Sequence, residues 1–392
     1  MDAIAVFFRS LGTALKQGLR LLTAWLVWPF LAAHGWYSQR NLLIKLPVAA
    51  LAVLLVALYG YFIWQTQVWR GFDPNFVDRY GFAERKLAAG QPLPAPESSP
   101  ALSDNTSTQP SANGQIVTSV ANRCQTSGIV EVAADLTDTN VNQNAWISSM
   151  LLYRLGLFGL DWDRTPFLDN KAAFQRGVNQ TVRRTAVELV DTLGRVRGTS
   201  GINGDLQDAR GNLQFDEFSW YFGLQPFGFK TPTPSYYRAA IGSLRKFNLD
   251  LANCQAVFDT RADNLVQFLD RIANDLGSTS AILRERSENY NGGWFDTRAD
   301  DRFWFAYGQL YGYYAIMSAA GADFHQVLQE RNLTSLWNDT LQQFRSALRI
   351  RPLIISNGAE DGIIMPSHLA TIGFYTLRTR SNLVEIRSVL DR

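Results

Sequence analysis

Acidic and aromatic residues are most densely interleaved between positions 294 and 305 of this 392-residue chain. Asp296 and Asp301 stand there beside Trp294, Arg298 and Trp304. Carboxyl groups donate and accept protons in glycoside hydrolysis, and aromatic rings can stack on sugar faces. The segment is therefore a candidate carbohydrate site, with the two acids as candidate catalytic residues and the other three as candidate binding residues.

Two further segments repeat this combination of acids and rings. Asp161 precedes Trp162, and Asp216 and Glu217 begin an aromatic run. They are further candidate acids, although the sequence does not place them in the same cleft. Neither segment has the ligand spacing of a calcium loop, so we expect no metal and no cofactor. A structural role competes throughout, because acids at helix starts commonly form caps or ion pairs.

The hexapeptide Phe-Asp-Thr-Arg-Ala-Asp occurs twice, at Phe258–Asp263 and at Phe295–Asp300. Each copy contains Thr-x-x-Asp directly before an apolar-periodic segment, a variant of the capping box. The predicted structural caps are Thr260 with Asp263 and Thr297 with Asp300.

The chain contains three histidines and two cysteines, all far apart in sequence. Their spacing excludes zinc-finger, haem-attachment and iron–sulfur motifs. Cys124 and Cys254 would form a disulfide in an oxidising compartment if the fold brings them together, and the geometry could equally forbid it. Both alternatives stay open at this point.

One segment has the length and composition of a transmembrane helix. Leu46–Trp64 is 19 apolar residues long, with Lys45 at its start and aromatic residues at its far end, and about 20 such residues cross a bilayer. A second apolar run, Leu21–Ala33, is shorter and contains Pro29. A hairpin of both runs would separate the N-terminal basic residues, so we predict a single span with its N-terminus in the cytoplasm.

Residues 1–45 are predicted to form a cytoplasmic amphipathic segment on the membrane surface. The polar residues Arg9, Thr13, Lys16 and Arg20 recur at helical spacing between apolar residues. No cleavage site of the usual kind follows, so we expect residues 1–64 to persist as a bilayer anchor.

Beyond the span, residues 65–115 read as a juxtamembrane segment and a Pro/Ser-rich linker that would hold the rest of the chain away from the bilayer. Residues 116–392 show apolar residues at helical spacing and no convincing strands. We therefore predict a mainly α fold, in which an N-terminal amphipathic helix and one transmembrane helix precede an extramembrane helical bundle. With the N-terminus cytoplasmic, this domain would be periplasmic.

Three long segments carry a family resemblance: Val182–Gly211, the paired hexapeptides with Asp263–Ser278, and Pro352–Arg380. Together with the anchor, they resemble proteobacterial single-pass inner-membrane proteins classed as domain of unknown function 2333. The resemblance implies a bacterial envelope protein and carries over no catalytic residues.

Two functions from different classes are compatible with these features. The first is a non-catalytic envelope scaffold that binds a protein partner or a second copy of itself. The alternative is a hydrolase or lyase that acts on peptidoglycan with the acids named above. Nucleic-acid binding is not expected, because residues 70–392 contain 32 basic and 34 acidic residues.

Overall fold

The computed structural model describes residues 2–94, 123–157, 159, 161–165, 167–195, 201–224 and 227–392. The chain divides into two units, Met1–Phe62 and Ile63–Arg392. The first contains α1 (Asp2–Ser38) and most of α2 (Leu42–Gln67).

Helix α2 contains the predicted span, and an 18-residue stretch of it has a mean hydropathy of 2.5. Among the described residues, it is the one helix whose length and apolar composition would allow it to cross a membrane. The prediction of one such helix is confirmed. Helix α1 runs through Pro29; the side chains of residues 1–15 lie outside the description, so the polar stripe stays a prediction.

The second unit is built from short and long α-helices, which confirms the predicted fold class. They are α3 (Gly128–Asp138), α4 (Leu151–Leu155), α5 (Asn170–Glu188), α6 (Gly204–Leu213), α7 (Thr233–Ala252), α8 (Ala262–Asn289), α9 (Ala299–Asp323), α10 (His325–Glu330), α11 (Thr334–Leu348) and α12 (His368–Leu390). Between α6 and α7, strands β1 (Phe222–Leu224) and β2 (Phe227–Phe229) pair antiparallel, with Phe222 opposite Phe229.

Helix α9 is the centre of this unit. Every residue from Ala306 to Ala320 is buried, as expected for a helix that is covered on all sides. Its contact with α5 depends on two glycines. A Cβ atom at Gly177 would lie 2.1 Å from the Phe305 carbonyl oxygen, and one at Gly308 would lie 2.2 Å from that of Phe174. Any side chain at either position would force the two helices apart.

The aromatic segment after α2 belongs to this core. The ring of Trp69 lies 5.2 Å from that of Phe174, and those of Phe72 and Phe76 lie 5.3 and 4.8 Å from Tyr311. The compact unit begins at Ile63, so these residues lie in it together with the domain predicted from residue 116. The reason is burial, because these rings complete the surface between α5 and α9.

Lys171 fixes the last turn of α2 within the second unit. Its buried ammonium group donates hydrogen bonds to the carbonyl oxygens of Gln65 at 2.9 Å and Val68 at 2.6 Å. Carbonyl groups at a helix C-terminus lack partners within the helix and favour positive charge. Burial, with a smaller contribution from the charge of Arg70, lowers the Lys171 pKa to about 8.

The Pro/Ser-rich segment starts and ends at neighbouring points of the same unit. The Leu93 amide donates to the Arg123 carbonyl oxygen at 2.8 Å, and Pro92 bridges to Cys124. Cys124 also forms a disulfide with Cys254. Residues on both sides of this segment therefore belong to one compact unit, and its role as a spacer from the bilayer stays a prediction.

Both copies of the hexapeptide lead into a helix, but the predicted threonines are not the N-cap residues. The N-cap residues are Arg261 and Arg298, neither of which makes a side-chain cap bond, and the helices begin one residue later. Instead, the aspartate at the second position accepts from the backbone amide of the arginine. The paired residues are Asp259 with Arg261 at 3.4 Å and Asp296 with Arg298 at 3.3 Å. Thr260 and Thr297 are thus displaced from the cap by this aspartate turn.

Candidate functional site

The predicted acid Asp296 is held in a structural ion pair. The Arg286 guanidinium, on the last turn of α8, donates to both of its carboxylate oxygens, and the Asn357 amide donates to Oδ2 at 2.8 Å. Burial by itself would raise the pKa of Asp296, but the hydrogen bonds from Arg286, Asn357 and the Arg298 amide outweigh it and lower the pKa. Asp296 therefore stays ionised and bound, which does not suit a general acid.

Asn357 joins the two loops around this pair. Its side-chain amide also donates to the carbonyl oxygens of Arg286 and Tyr290, at 3.1 and 3.0 Å. Its backbone exchanges hydrogen bonds with Gly293 at 2.9 and 3.1 Å. The loop 290–298, between α8 and α9, is thereby tied to the loop 351–367, between α11 and α12.

A second group of acids lies at the start of α9. Asp169, the residue before α5, and Asp300 are buried, and the half-buried Asp301 lies close enough to both for its charge to act on them. Neither oxygen of Asp169 accepts a hydrogen bond from an N–H group or hydroxyl of another residue within the described chain. Its partner is the carboxyl of Asp301, and two carboxyl groups bond to each other only when one carries a proton.

Burial is the main cause of the raised pKa values of Asp169 and Asp300. It raises the pKa of Asp169 well above the usual range, and the charges of Asp301 and Asp300 raise it further. Burial and the charge of Asp301 raise the pKa of Asp300 to about 7. No set of three or more acidic, histidine or cysteine side chains in the described residues is arranged to hold a metal ion. The three acids form a proton-sharing cluster.

The cluster adjoins a basic cavity of about 290 Å³ between α5, α8 and α9. Asp301 lines it together with Arg176, Arg298 and Arg302. The Arg176 guanidinium lies 3.9 Å from the Asp301 carboxylate. Among the described residues, Asp301 is the one acid that lines this cavity, so they do not place there the pair of facing acids that glycoside hydrolysis uses.

The other three candidate acids have separate surroundings. Glu217 pairs with Arg183 at 2.8 Å and accepts from Asn179 at 3.0 Å. Asp216 accepts from the Phe218 amide at 3.2 Å, which forms a local turn. Asp161 is exposed and precedes the short helix Trp162–Arg164.

The predicted binding residues do not form one surface either. Trp304 is half-buried and packs against Trp69, with ring centres 5.1 Å apart. Trp294 is half exposed on the loop 290–298, and Arg298 lines the basic cavity. Trp294 and Trp304 therefore lie in different surroundings in the described structure.

The same two loops carry several exposed apolar side chains. Ile363 is 98% exposed and Phe295 is 84% exposed. We call this set the apolar loop surface; it comprises Trp294, Phe295, Leu353, Ile354, Ile363 and Ile364. Exposed apolar patches on a folded domain commonly mark a binding site.

Sequence reasoning missed Asp169 and Asn357. An acid directly before a helix ordinarily reads as a cap, so Asp169 gives no local sign of its neighbours. Asn357 stands in the loop segment Ser356–Gly358 and resembles an ordinary turn residue. Both roles arise only when distant segments pack together.

The model of a bacterial family described as uncharacterized proteins conserved in bacteria, domain of unknown function 2333, matches residues 136–292 and 283–392. These matches cover more than half of the chain, which therefore belongs to this family. No curated protein and no solved structure matches the chain.

Proposed function

We propose that this family member is a membrane-anchored protein of the cell envelope whose helical domain binds a protein partner and performs no reaction itself. The observation that carries the proposal is the apolar loop surface. Folded monomers rarely expose a large apolar surface without a binding role, and these side chains stand on two loops that are joined through Gly293 and Asn357. A partner that covers Ile363 and Phe295 would remove them from solvent.

A protein partner suits this surface better than a bilayer does. Glu360 and Asp361 stand in the same loop as Ile363 and Ile364, and their charges would be repelled by anionic headgroups. On a protein partner, such acids can instead form the polar rim that surrounds an apolar contact.

The proposed location is the inner membrane, with the N-terminus in the cytoplasm and the helical domain in the periplasm. The basic residues before Leu46 support this orientation. The disulfide between Cys124 and Cys254 also supports it, because disulfides persist in oxidising compartments. An alkaline-phosphatase fusion after Arg392 should be active in cells, and an inactive but stable fusion would reverse the orientation.

The partner is tested with a photo-crosslinking residue at position 363 of the full-length protein in cells. We expect one specific crosslinked protein, lost when Phe295 is changed to Asp. The matched control also carries the crosslinker at position 363, but with Phe229→Asp in place of Phe295→Asp. Phe229 is 94% exposed on β2, outside the apolar loop surface, so the crosslink should persist. The proposal would be contradicted by crosslinks to lipid alone, or by a protein crosslink that neither Phe295→Asp nor Phe229→Asp reduces. A crosslink to a second copy of the chain would identify the partner as the protein itself.

The glycan-cleaving alternative has less support. It requires two acids that face one cleft, with one of them able to donate a proton. Asp296 and Glu217 are held by arginines, and Asp301 has its carboxyl neighbours behind the cavity wall.

A further inference from the structure

The basic cavity between α5, α8 and α9 shares no residue with the apolar loop surface. Arg176, Arg298 and Arg302 line it, and Asp301 is the one acid among the described residues of its wall. Its volume of about 290 Å³ lies just below the range of about 300–1,000 Å³ that holds drug-sized ligands. The cavity therefore suits one small charged group.

The three arginines of the wall can be reached from solvent. Arg302 is exposed, and Arg176 and Arg298 are half-buried. The Nε of Arg176 donates to the Ala172 carbonyl oxygen at 3.4 Å, and a terminal nitrogen lies 3.9 Å from the Asp301 carboxylate. That second distance is longer than the about 2.7–2.9 Å of a charge-assisted hydrogen bond, which leaves the terminal nitrogens of Arg176 to bind a closer acceptor.

The acids behind the wall carry little of the opposite charge. Burial and the neighbouring carboxylates raise the pKa of Asp169, so that this residue is protonated at pH 7. Burial and the charge of Asp301 raise the pKa of Asp300 to about 7, so that it is only partly ionised. Three guanidinium groups thus stand against the carboxylate of Asp301 and part of a second one.

The charged residues at the end of α8 do not reverse this balance. Arg286 is bound to Asp296, and Arg284 lies 3.8 Å from Glu288. Glu285 is exposed and does not line the cavity. The net charge around the cavity stays positive, which favours an anion. The planar fork of arginine matches the oxygens of a phosphate group in particular.

The cavity lies close to the end of the proposed membrane helix. The side-chain amide of Gln67, the last residue of α2, donates to the Phe167 carbonyl oxygen at 2.9 Å. The Phe167 amide in turn donates to Asp300 at 3.4 Å, directly before Asp301 of the wall. If α2 spans the bilayer as proposed, this end of the helix emerges in the headgroup layer, where phospholipids carry their phosphate groups.

We propose that this cavity binds a phosphate group, to whose oxygens Arg176, Arg298 and Arg302 donate hydrogen bonds. The position of the cavity favours a phospholipid headgroup as the source of that phosphate. This source rests on the proposed membrane anchor, whereas the phosphate site does not, and neither rests on the proposed protein partner.

The test compares two probes on the full-length protein in micelles of a neutral detergent. Binding of phosphatidylglycerol is counted by native mass spectrometry, and binding of glycerol phosphate is followed by isothermal titration. We expect phosphatidylglycerol to bind, and Arg302→Gln should weaken it by about tenfold, which corresponds to about 1.4 kcal/mol. The matched control is Arg284→Gln, an exposed change on α8 outside the cavity, which should leave binding unchanged.

Asp301→Asn should act in the opposite direction. It removes the negative charge of the wall and nearly keeps the shape of the side chain, so phosphate should bind more tightly. Weaker binding by a variant that unfolds like the original protein would contradict the inference.

The inference is overturned if Arg302→Gln and Arg284→Gln behave alike. It is also overturned if neither probe binds, with glycerol phosphate at up to about 10 mM, which detects dissociation constants near 1 mM. Binding of glycerol phosphate alone, lost in Arg302→Gln, would keep the phosphate site and assign it to a soluble ligand. Release of the protein from membranes by alkaline carbonate would refute the anchor separately.

Discussion

Replacing Asp169 with Asn tests the proton-sharing cluster directly. Burial and the charges of Asp301 and Asp300 raise the pKa of Asp169, so its carboxyl is protonated in the folded protein at pH 7. In the unfolded chain the same carboxyl ionises near pH 4. A folded pKa above the unfolded one means that stability is greatest below pH 4 and is lost as the pH rises. Asparagine has nearly the same shape and does not ionise, so the variant should not show this loss.

The magnitude follows from one proton. Each pH unit between the two pKa values changes the free energy of unfolding by about 1.4 kcal/mol. Between pH 5 and pH 7, the stability of Asp169→Asn relative to the original protein should therefore increase by about 2.8 kcal/mol. Asp300, with its pKa raised to about 7, shifts both proteins in the same direction and largely cancels from this difference.

The assay is urea unfolding of both full-length proteins in micelles at several pH values, followed by tryptophan fluorescence. Asp161→Asn is the matched control, because Asp161 is exposed, and its difference from the original protein should not depend on pH. If the Asp169→Asn difference is also flat, or if the variant becomes relatively less stable as the pH rises, Asp169 is ionised in the folded protein and the cluster does not share a proton.

Three further outcomes are expected. Changing Cys124 to Ser should destabilise the protein by about 5 kcal/mol in the chain-entropy model, since the bond to Cys254 closes a separation of 130 residues; urea unfolding with and without reductant measures this, and equal midpoints would refute it. Asp296→Asn should cost about 1–3 kcal/mol at pH 7 because the half-buried Arg286 loses its charged partner, whereas the exposed Asp263→Asn should cost less than about 0.5 kcal/mol. The loss at Asp296 should shrink below pH 4, where the original carboxylate takes up its proton. Halving the segment 95–122 should change stability by only about 0.6 kcal/mol, and a large loss in a thermal melt would show that it does more than close a loop.

The sequence predicts the parts of this fold that depend on periodicity. The apolar run at Leu46–Trp64 corresponds to a helix, as its length and uniform apolar composition predict. The helical spacing around Tyr237 and Ile241 also corresponds to a helix, because one buried face requires that spacing. The limits of the domain were less predictable. Trp69 and Phe72 resemble the aromatic border of a membrane span, and only their packing on Phe174 shows that they belong to the core.

The repeated hexapeptide separates what a local motif determines from what packing determines. In both copies the second residue, Asp259 or Asp296, accepts from the arginine amide and sets the helix start. The sixth residue differs in its surroundings: Asp263 is exposed, whereas Asp300 is buried. The backbone amide of Phe167 donates to the carboxylate of Asp300 at 3.4 Å, and burial of Asp300 raises its pKa. An identical sequence thus yields a solvated acid in one place and a buried, proton-binding acid in the other, because the segment that precedes α5 packs on only the second copy.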